Sequence, residues 1–333
     1  MLYVTTRNKV DTYTAHNTIS NHRTPDGAAF VPFRLPQLSV EQIAELKDKS
    51  FSKCVADILN LFFSVNLDAA DVEFCIGRTP VKLAAMSHKI TVAEAWHCPE
   101  QDFAQIVRNL HVRIGADPEK QPSEWMRIAV CIAMLFGVYG QMLQDRNLDE
   151  GQSFDIAVPA GDFTEPMAAW YCREMGLPIA TVVCGCNTDS CIWDLLHHGE
   201  MRTGDSVPVN LERLIYGTLG IEKTAQFAAV CEKNRIFALC EEEANALSQG
   251  MFAAVISEKR IHTVIRQVYQ TNKYMLAPSG STAYAGLQDY RAGAGETRSA
   301  LIFTEHGPRA AADAIAAAMG ISGQEFGILA NPN

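Results

Sequence analysis

The sequence predicts an α/β fold built on a parallel sheet. Three features of residues 154–185 indicate it: an apolar run at 154–158, a helical segment closed by Gly176, and a second apolar run at 179–184. A strand, a helix and a second strand in this order form a unit with parallel strands. Because sheets of this kind bind ligands beyond the carboxyl ends of their strands, the turn at 159–164 is the first candidate site.

Composition narrows the class of protein. The chain has 333 residues, of which 48% are hydrophobic, so it can bury a large core. A net charge of −10, with no Lys/Arg cluster, argues against nucleic acid and membrane surfaces as partners. The first residues lack the apolar core of a signal peptide, and the ten cysteines lack the spacing of small secreted domains, so we expect a cytoplasmic protein with reduced thiols. The apolar stretch 128–139 is too short for a membrane span and predicts a buried helix.

The N-terminal elements follow from local signals. Residues 1–6 are β-branched and aromatic and predict a short strand, and 24–27 carry a Thr-Pro-Asp-Gly turn signal. Ser39 is a good N-cap with Gln42 at the capping-box position, so a helix begins there. A second helix is predicted over 52–63 from its apolar face.

The remaining elements alternate between strands and helices. Alternating apolar residues at 89–96 predict a strand, and a helix at 102–112 is joined by the loop 115–122 to a long apolar helix at 124–143, which Ser123 caps. Beyond the central unit we predict helices at 191–198, 210–219, 222–231, 241–247, 257–271 and 281–291, a strand at 299–304 and a last helix from 307 to 319.

Four stretches resemble motifs of threonine synthase, a pyridoxal-phosphate (PLP) enzyme of amino-acid metabolism with the tryptophan-synthase-β-like fold. Residues 3–7 read Tyr-Val-Thr-Thr-Arg, 24–32 read Thr-Pro-Asp-Gly-Ala-Ala-Phe-Val-Pro, 159–163 read Pro-Ala-Gly-Asp-Phe, and 210–216 read Asn-Leu-Glu-Arg-Leu-Ile-Tyr. They are similar to the family's Tyr-x-Ser-Thr-Arg, Pro-Asp-Gly-Gly-Leu-x-Val-Pro, Pro-Ser/Thr-Gly-Asn-Phe-Gly and Asn-Phe-Glu-Arg-Leu-Leu-Tyr, in the same order.

The resemblance implies a particular domain organisation. Residues 1–80 would form a threonine-synthase-like N-terminal region, and 81–333 a large α/β domain of PLP fold type II with a parallel sheet. In the family, a whole α/β subdomain that closes over the cofactor lies between two helices. Only the loop at about 115–122 joins the corresponding helices here, so this small domain is expected to be deleted.

A second departure concerns the catalytic lysine. The family forms its Schiff base on the lysine of His-Gly-Pro-Thr-x-x-Phe-Lys-Asp, and the matching residues 97–105 read His-Cys-Pro-Glu-Gln-Asp-Phe-Ala-Gln. Ala104 therefore stands at the lysine position. The nearest upstream lysines, Lys82 and Lys89, are interpreted as solvated, because lysine is rarely buried. No catalytic residue is predicted.

The turn at Gly161, Asp162, Phe163 and Thr164 resembles a degenerate phosphate site. In the family, the backbone N–H groups of this turn and the following helix N-terminus hold the cofactor phosphate. Asp162 and Glu165 have the spacing of a capping box, in which Asp162 accepts from those N–H groups and both carboxylates repel an anion. We therefore expect weak or no phosphate binding and no cofactor, with PLP as the alternative. A simple turn glycine is the competing interpretation of Gly161.

A polar pocket is the other candidate. Residues 304–306 read Thr-Glu-His and match a Thr-Ala-His stretch that lies beside the cofactor ring in the family. Thr304, His306 and His97 could line such a pocket with Arg309, which stands where the family has a lysine. A surface role is the simpler interpretation of a lone histidine at a strand end. Pairing His97 with Cys98 as a nucleophile is disfavoured, because adjacent side chains rarely face one site.

No metal site is predicted. The metal-like set is Cys184, Cys186 and Cys191 with His197 and His198. It lacks the paired Cys-x-x-Cys spacing of common structural zinc sites, and Cys184 falls in an apolar strand where a small hydrophobic residue suffices. We interpret these thiols as incidental.

Three hypotheses on function follow from the resemblance. The first is a catalytically inactive pseudoenzyme that binds a small metabolite or a protein partner. It would form a homodimer, because deletion of the subdomain should expose apolar surface around Phe103, Ile106 and Trp125. The second is a PLP-dependent lyase that converts O-phosphohomoserine to threonine with a noncovalent cofactor. The third is a regulatory subunit of a complete threonine synthase.

Overall fold

The structure is a computed structural model that describes residues 1–78, 80–96, 102–204, 207–295 and 297–329. Its strands are β1 (Leu2–Thr5), β2 (Asn8–Thr14), β3 (Phe30–Pro32), β4 (Lys82–Met86), β5 (Ile90–Glu94), β6 (Phe154–Pro159), β7 (Ile179–Cys186), β8 (Glu200–Arg202), β9 (Ile236–Ala238), β10 (Met251–Val255) and β11 (Ser299–Thr304).

The helices that surround them follow the chain in order. They are α1 (Ala15–Ser20), α2 (Val40–Ala44), α3 (Phe51–Phe63), α4 (Ala69–Ile76), α5 (Phe103–Arg113), α6 (Glu124–Gln144), α7 (Thr164–Glu174), α8 (Cys191–His198), α9 (Leu211–Cys231), α10 (Glu241–Ser248), α11 (Glu258–Asn272), α12 (Pro278–Ala294), α13 (Ala312–Met319) and α14 (Gly323–Leu329).

The central sheet confirms the α/β prediction. Six strands lie in the order β10, β7, β6, β11, β5 and β4, and all neighbours are parallel except β4, which is antiparallel to β5. The unit β6, α7 and β7 lies in the middle, with Ile156 of β6 opposite Val182 of β7. β6, β7 and β11 therefore end at one edge of the sheet, beside the predicted turn.

The N-terminal region forms a small antiparallel sheet in the order β2, β1, β3. It packs onto the rest of the protein through Tyr3, whose ring meets that of Trp125 edge-on at 5.7 Å between centroids. The indole N–H of Trp125 donates to the Tyr3 hydroxyl at 3.1 Å. One apolar core thus contains residues from both sides of the predicted division at residue 80.

The helix α6 runs through this core. Ser123 caps it by accepting from the Met126 N–H, as its sequence predicts. The helix is long and apolar enough to cross a membrane by length and composition, but most of its side chains are buried inside the protein. We therefore describe it as a core helix.

The prediction that an apolar patch is exposed around Phe103, Ile106 and Trp125 is wrong. Phe103, Ile106 and Trp125 are all fully buried. The ring of Phe103 packs edge-on against Phe303 of β11, and Trp125 packs between Tyr3 and Tyr171. Because the N-terminal sheet and the core already cover these residues, they provide no argument for a homodimer, which stays a prediction.

Candidate functional site

A cavity of about 610 Å³ opens at the carboxyl edge of the sheet. The loops that follow β6, β7, β10 and β11 line it, together with the first turn of α12 and Arg127 of α6. This is the edge that the order of strands favours for a ligand. Its volume is in the range typical of small-molecule sites.

The residues predicted from sequence divide into two groups. Gly161, Asp162 and His306 line the cavity. Phe163 and Thr164 belong to the same turn but are buried behind it. The remaining candidates lie apart: Thr304 is buried with its hydroxyl donating to the His306 carbonyl at 3.1 Å, Arg309 is exposed and is not among the described lining residues, and His97 lies outside the described residues.

The capping-box interpretation of Asp162 and Glu165 is wrong. Phe163 adopts a left-handed backbone conformation (φ 69°) and is itself the N-cap of α7. Glu165 is therefore the second residue of the helix and not the third, so its carboxylate does not return to the Asp162 backbone. Asp162 still accepts one hydrogen bond, from the Thr164 N–H at 3.0 Å, and so occupies one donor that a phosphate would need.

Glu165 instead joins a buried charge cluster that the sequence analysis missed. Arg127 donates from Nη2 to Oε2 of Glu305 at 2.8 Å, and its Nη1 lies 4.0 Å from Oδ2 of Asp162. Glu165 and Glu305 are only 7% and 3% exposed, and both line the cavity. Among the described residues, Oε1 of Glu305 has no hydrogen-bond partner.

The environment of these carboxyls shifts their pKa values upward. Burial raises the pKa of Glu165 to about 7, and the nearby Asp162 charge adds to the shift, while Arg127 opposes it. Burial also raises the pKa of Glu305 well above its usual range, and the charge of Glu165 adds to this. The guanidinium of Arg127 opposes both upward shifts but does not cancel them, because burial disfavours the charged form of each carboxyl.

Glycine gives the cavity its shape at one position. A Cβ atom on Gly185, at the end of β7, would lie 2.5 Å from the Thr282 carbonyl oxygen. Only glycine allows the first turns of α12 to approach this strand so closely. Thr282 and Ser279 of α12 thereby line the same cavity as Glu165 and Glu305.

The position assigned to the Schiff-base lysine has no amine. Ala104 is exposed near the start of α5 and lines a neighbouring cavity that Arg127 also borders. None of the described residues that line either cavity is a lysine. Lys82, the upstream candidate, is 67% exposed, with Nζ 3.6 Å from Oε1 of Glu94.

The cysteines near β7 are enclosed in the protein. Cys184 and Cys186 are fully buried in β7, Cys191 is buried at the start of α8, and burial raises the pKa of each thiol. His197 stacks on Trp193 at 4.8 Å between ring centroids. In the part of the chain that the structure describes, no group of three or more His, Cys, Asp or Glu residues could hold a metal ion.

Comparison with known proteins shows which proteins this chain resembles. Residues 2–79 match the family model "Threonine synthase N terminus". Threonine synthase-like 2 of Xenopus laevis is 28% identical over 173 residues, which are 48% of this chain and 36% of that protein. The chain is similar to threonine synthases over residues 2–79 and to threonine synthase-like proteins over about half of its length. Threonine synthase-like 1 of Homo sapiens is 24% identical over 176 residues, 48% of this chain and 23% of its own length. The threonine synthase-like chain thus spans about a third or less of these relatives.

Solved threonine synthases confirm the fold of this threonine synthase-like chain. The PLP-bound enzyme of Brucella melitensis has a TM-score of 0.84 at 17% identity, covering 99% of this chain and 94% of that one. The yeast enzyme has a TM-score of 0.82 at 14% identity, covering 98% and 93%. The architecture is therefore that of PLP fold type II. At these identities the likeness concerns the fold alone.

The described residues of this threonine synthase-like site do not fit PLP. A phosphate at the turn would find the Thr164 N–H already donating to Asp162. It would also lie in a cavity that the carboxyls of Glu165 and Glu305 line. Arg127, the arginine among the described lining residues, is already paired with Glu305. The charged residues that line this cavity are mostly acidic. The cofactor carries a phosphate and requires a lysine amine, so the lining does not suit it.

Proposed function

We propose that this threonine synthase-like protein is a pseudoenzyme whose cavity binds a small metabolite without Schiff-base chemistry. The observation that supports it is the alanine side chain at position 104, together with the lack of a lysine among the described lining residues. Covalent pyridoxal catalysis needs an amine in imine linkage. A methyl group cannot supply one. The retained fold and a cavity of metabolite size support a binding role.

The competing function is a lyase of the threonine synthase type that holds PLP noncovalently. We expect the protein, after incubation with PLP and dialysis, to keep no visible absorbance band, and after borohydride reduction of the dialysed sample to carry no labelled lysine in peptide mass spectrometry. Ala104→Lys is the comparison variant, since it restores an amine at that helix position. An absorbance band that survives dialysis of the unaltered protein would favour the noncovalent lyase, and a lysine labelled after dialysis would show that the pseudoenzyme proposal is wrong.

The phosphate site gives a second prediction. Asp162→Asn removes one negative charge at the turn, whereas the amide oxygen can still accept from the Thr164 N–H. We expect affinity for inorganic phosphate, measured by calorimetry, to rise at least about tenfold, or about 1.4 kcal/mol, from a very weak starting value. The exposed Asp149→Asn is the matched control, and it should leave phosphate affinity unchanged. Tight phosphate binding by the unaltered protein would contradict the occlusion of this turn.

A further inference from the structure

We infer that the cavity binds the protonated amine of a small cationic ligand between Glu165 and Glu305. This inference rests on the proposed binding function of the same cavity and names the chemistry of its ligand. It concerns residues that the resemblance to threonine synthase did not single out.

The unsatisfied acceptor is Oε1 of Glu305. The side chain is 2% exposed, its Oε2 is taken by Arg127, and Oε1 has no partner among the described residues, although Glu305 lines the cavity. Buried polar atoms are almost always hydrogen-bonded, so an empty acceptor at a cavity wall calls for a donor from a ligand. An ammonium group carries three donors and no acceptor. One ammonium group can therefore donate hydrogen bonds to two carboxylates at once.

The charges around this point favour a cation. The ionisable groups that face Glu165 and Glu305 are Arg127 and Cys131 of α6, Asp162 of the turn before α7, Glu258 of α11 and His306 after β11. Carboxylates thus outnumber the guanidinium in the described lining. An anion placed here would meet repulsion from several sides, whereas a cation would relieve the repulsion between the two buried glutamates.

The remaining lining residues indicate the chemistry of the other end of the ligand. Asn187, Thr188, Ser279 and Thr282 present neutral polar groups to the cavity. Groups of this kind hydrogen-bond hydroxyls and amides and provide no charge to balance a carboxylate. The class of ligand is therefore a small amine with a neutral or cationic tail. Free amino acids, which carry a carboxylate, fit less well.

Calorimetry with two amine probes tests the inference. We expect ethanolamine or putrescine to bind, and to bind about tenfold more tightly at about pH 8 than at about pH 6, because the cation replaces a carboxyl proton. Glu165→Gln should weaken amine binding at least about tenfold and reduce this pH dependence. Glu119→Gln changes an exposed carboxylate far from the wall and should leave amine affinity unchanged. Glu305→Gln is a second variant that tests the same site from the other carboxyl.

Two results would overturn the inference. One is that neither amine binds. The other is that both bind equally well to the protein and to Glu165→Gln and Glu305→Gln, which would place the amines elsewhere. A thermal-shift screen with neutral and anionic metabolites separates this failure from failure of the proposed function. A hit there would keep the binding role and reject the amine, whereas a lysine-linked PLP adduct would reject the binding role itself.

Discussion

Glu165→Gln is expected to raise the free energy of unfolding by about 3 kcal/mol at about pH 8 and to change it little at about pH 4. The carboxyl of Glu165 is buried, and burial raises its pKa from the ordinary value of 4.5 to about 7. Folding at high pH therefore forces a charge into a poorly solvated place. Glutamine has the same shape without the charge, so the variant removes that cost.

The direction of this pH dependence follows from linkage. The folded state holds the Glu165 proton more tightly than the unfolded chain, so the contribution of this proton to stability is complete below about pH 4.5 and is lost as the pH rises through about 7. The variant and the unaltered protein should therefore diverge across this window. The effect is reinforced because the charge of Glu165 also raises the pKa of Glu305.

Urea unfolding followed by circular dichroism at several pH values measures the difference. Glu119→Gln is the control for loss of one negative charge, because its side chain is exposed, and it should follow the unaltered protein at every pH. Equal stability of Glu165→Gln and the unaltered protein at about pH 8 would mean that this carboxyl is solvated or neutralised, and the charge cluster would lose its energetic basis.

Elements with a strong local pattern could be predicted from sequence. The unit formed by β6, α7 and β7 follows from two apolar runs and a closing glycine, and the bounds of α8 and β11 agree with the prediction. The break predicted between two helices at Gly220 is confirmed, because the backbone of α9 is non-helical at that glycine (φ 84°). The signals are reliable here because hydrophobic periodicity and caps act over a few residues.

Elements that depend on distant partners were missed. β10 occupies the edge of the central sheet beside β7, but its five residues follow a predicted helix so closely that no separate strand was assigned. The exposed β2 has no apolar alternation to mark it, since it lies at the edge of the N-terminal sheet. The pairing of such strands is decided by tertiary contacts and not by propensity.

The candidate site could also be predicted only in part, because it depends on contacts between distant residues. The turn at Gly161 was found because it resembles a known motif, whereas the cluster of Arg127, Glu165 and Glu305 brings together three separate elements. Nothing in the local sequence distinguishes these residues from surface charges. The left-handed Phe163 was also not apparent, and it decides where the Glu165 side chain goes. Glu165 lies two positions after Phe163. Its burial could be predicted only if Phe163 were recognised as the N-cap of α7.

The second large effect is expected at Arg213. This guanidinium is fully buried, and it links three parts of the chain. Nε donates to the carbonyl of Phe30 in β3 at 3.1 Å, and Nη1 donates to Asn210 and lies 3.3 Å from Oε2 of Glu124. Removing the guanidinium leaves a buried carbonyl without this donor and takes from Glu124 its fully buried cation, so that Arg23, at 3.5 Å, remains beside that carboxylate.

Arg213→Met is expected to lower the free energy of unfolding by about 3 to 5 kcal/mol, the usual cost of breaking a buried ion pair from one side. Arg213→Lys should lose less, since it keeps the charge but not the forked donors. Arg34→Met is the matched control at an exposed arginine and should be nearly neutral. Urea unfolding measures all three, and a loss below about 1 kcal/mol for Arg213→Met would mean that the network adds little to stability.

The shape of the same unfolding curve tests the division at residue 80. Arg213 binds the carbonyl of Phe30 from the far side of the predicted boundary, and Tyr3 and Trp125 share one apolar cluster across it. Regions joined in this way should unfold together, so we expect one cooperative transition in the unaltered protein. Because Arg213→Met cuts the polar link but leaves the apolar one, it should shift that transition without splitting it. Two transitions in the unaltered protein would mean that the N-terminal region is an independently stable domain.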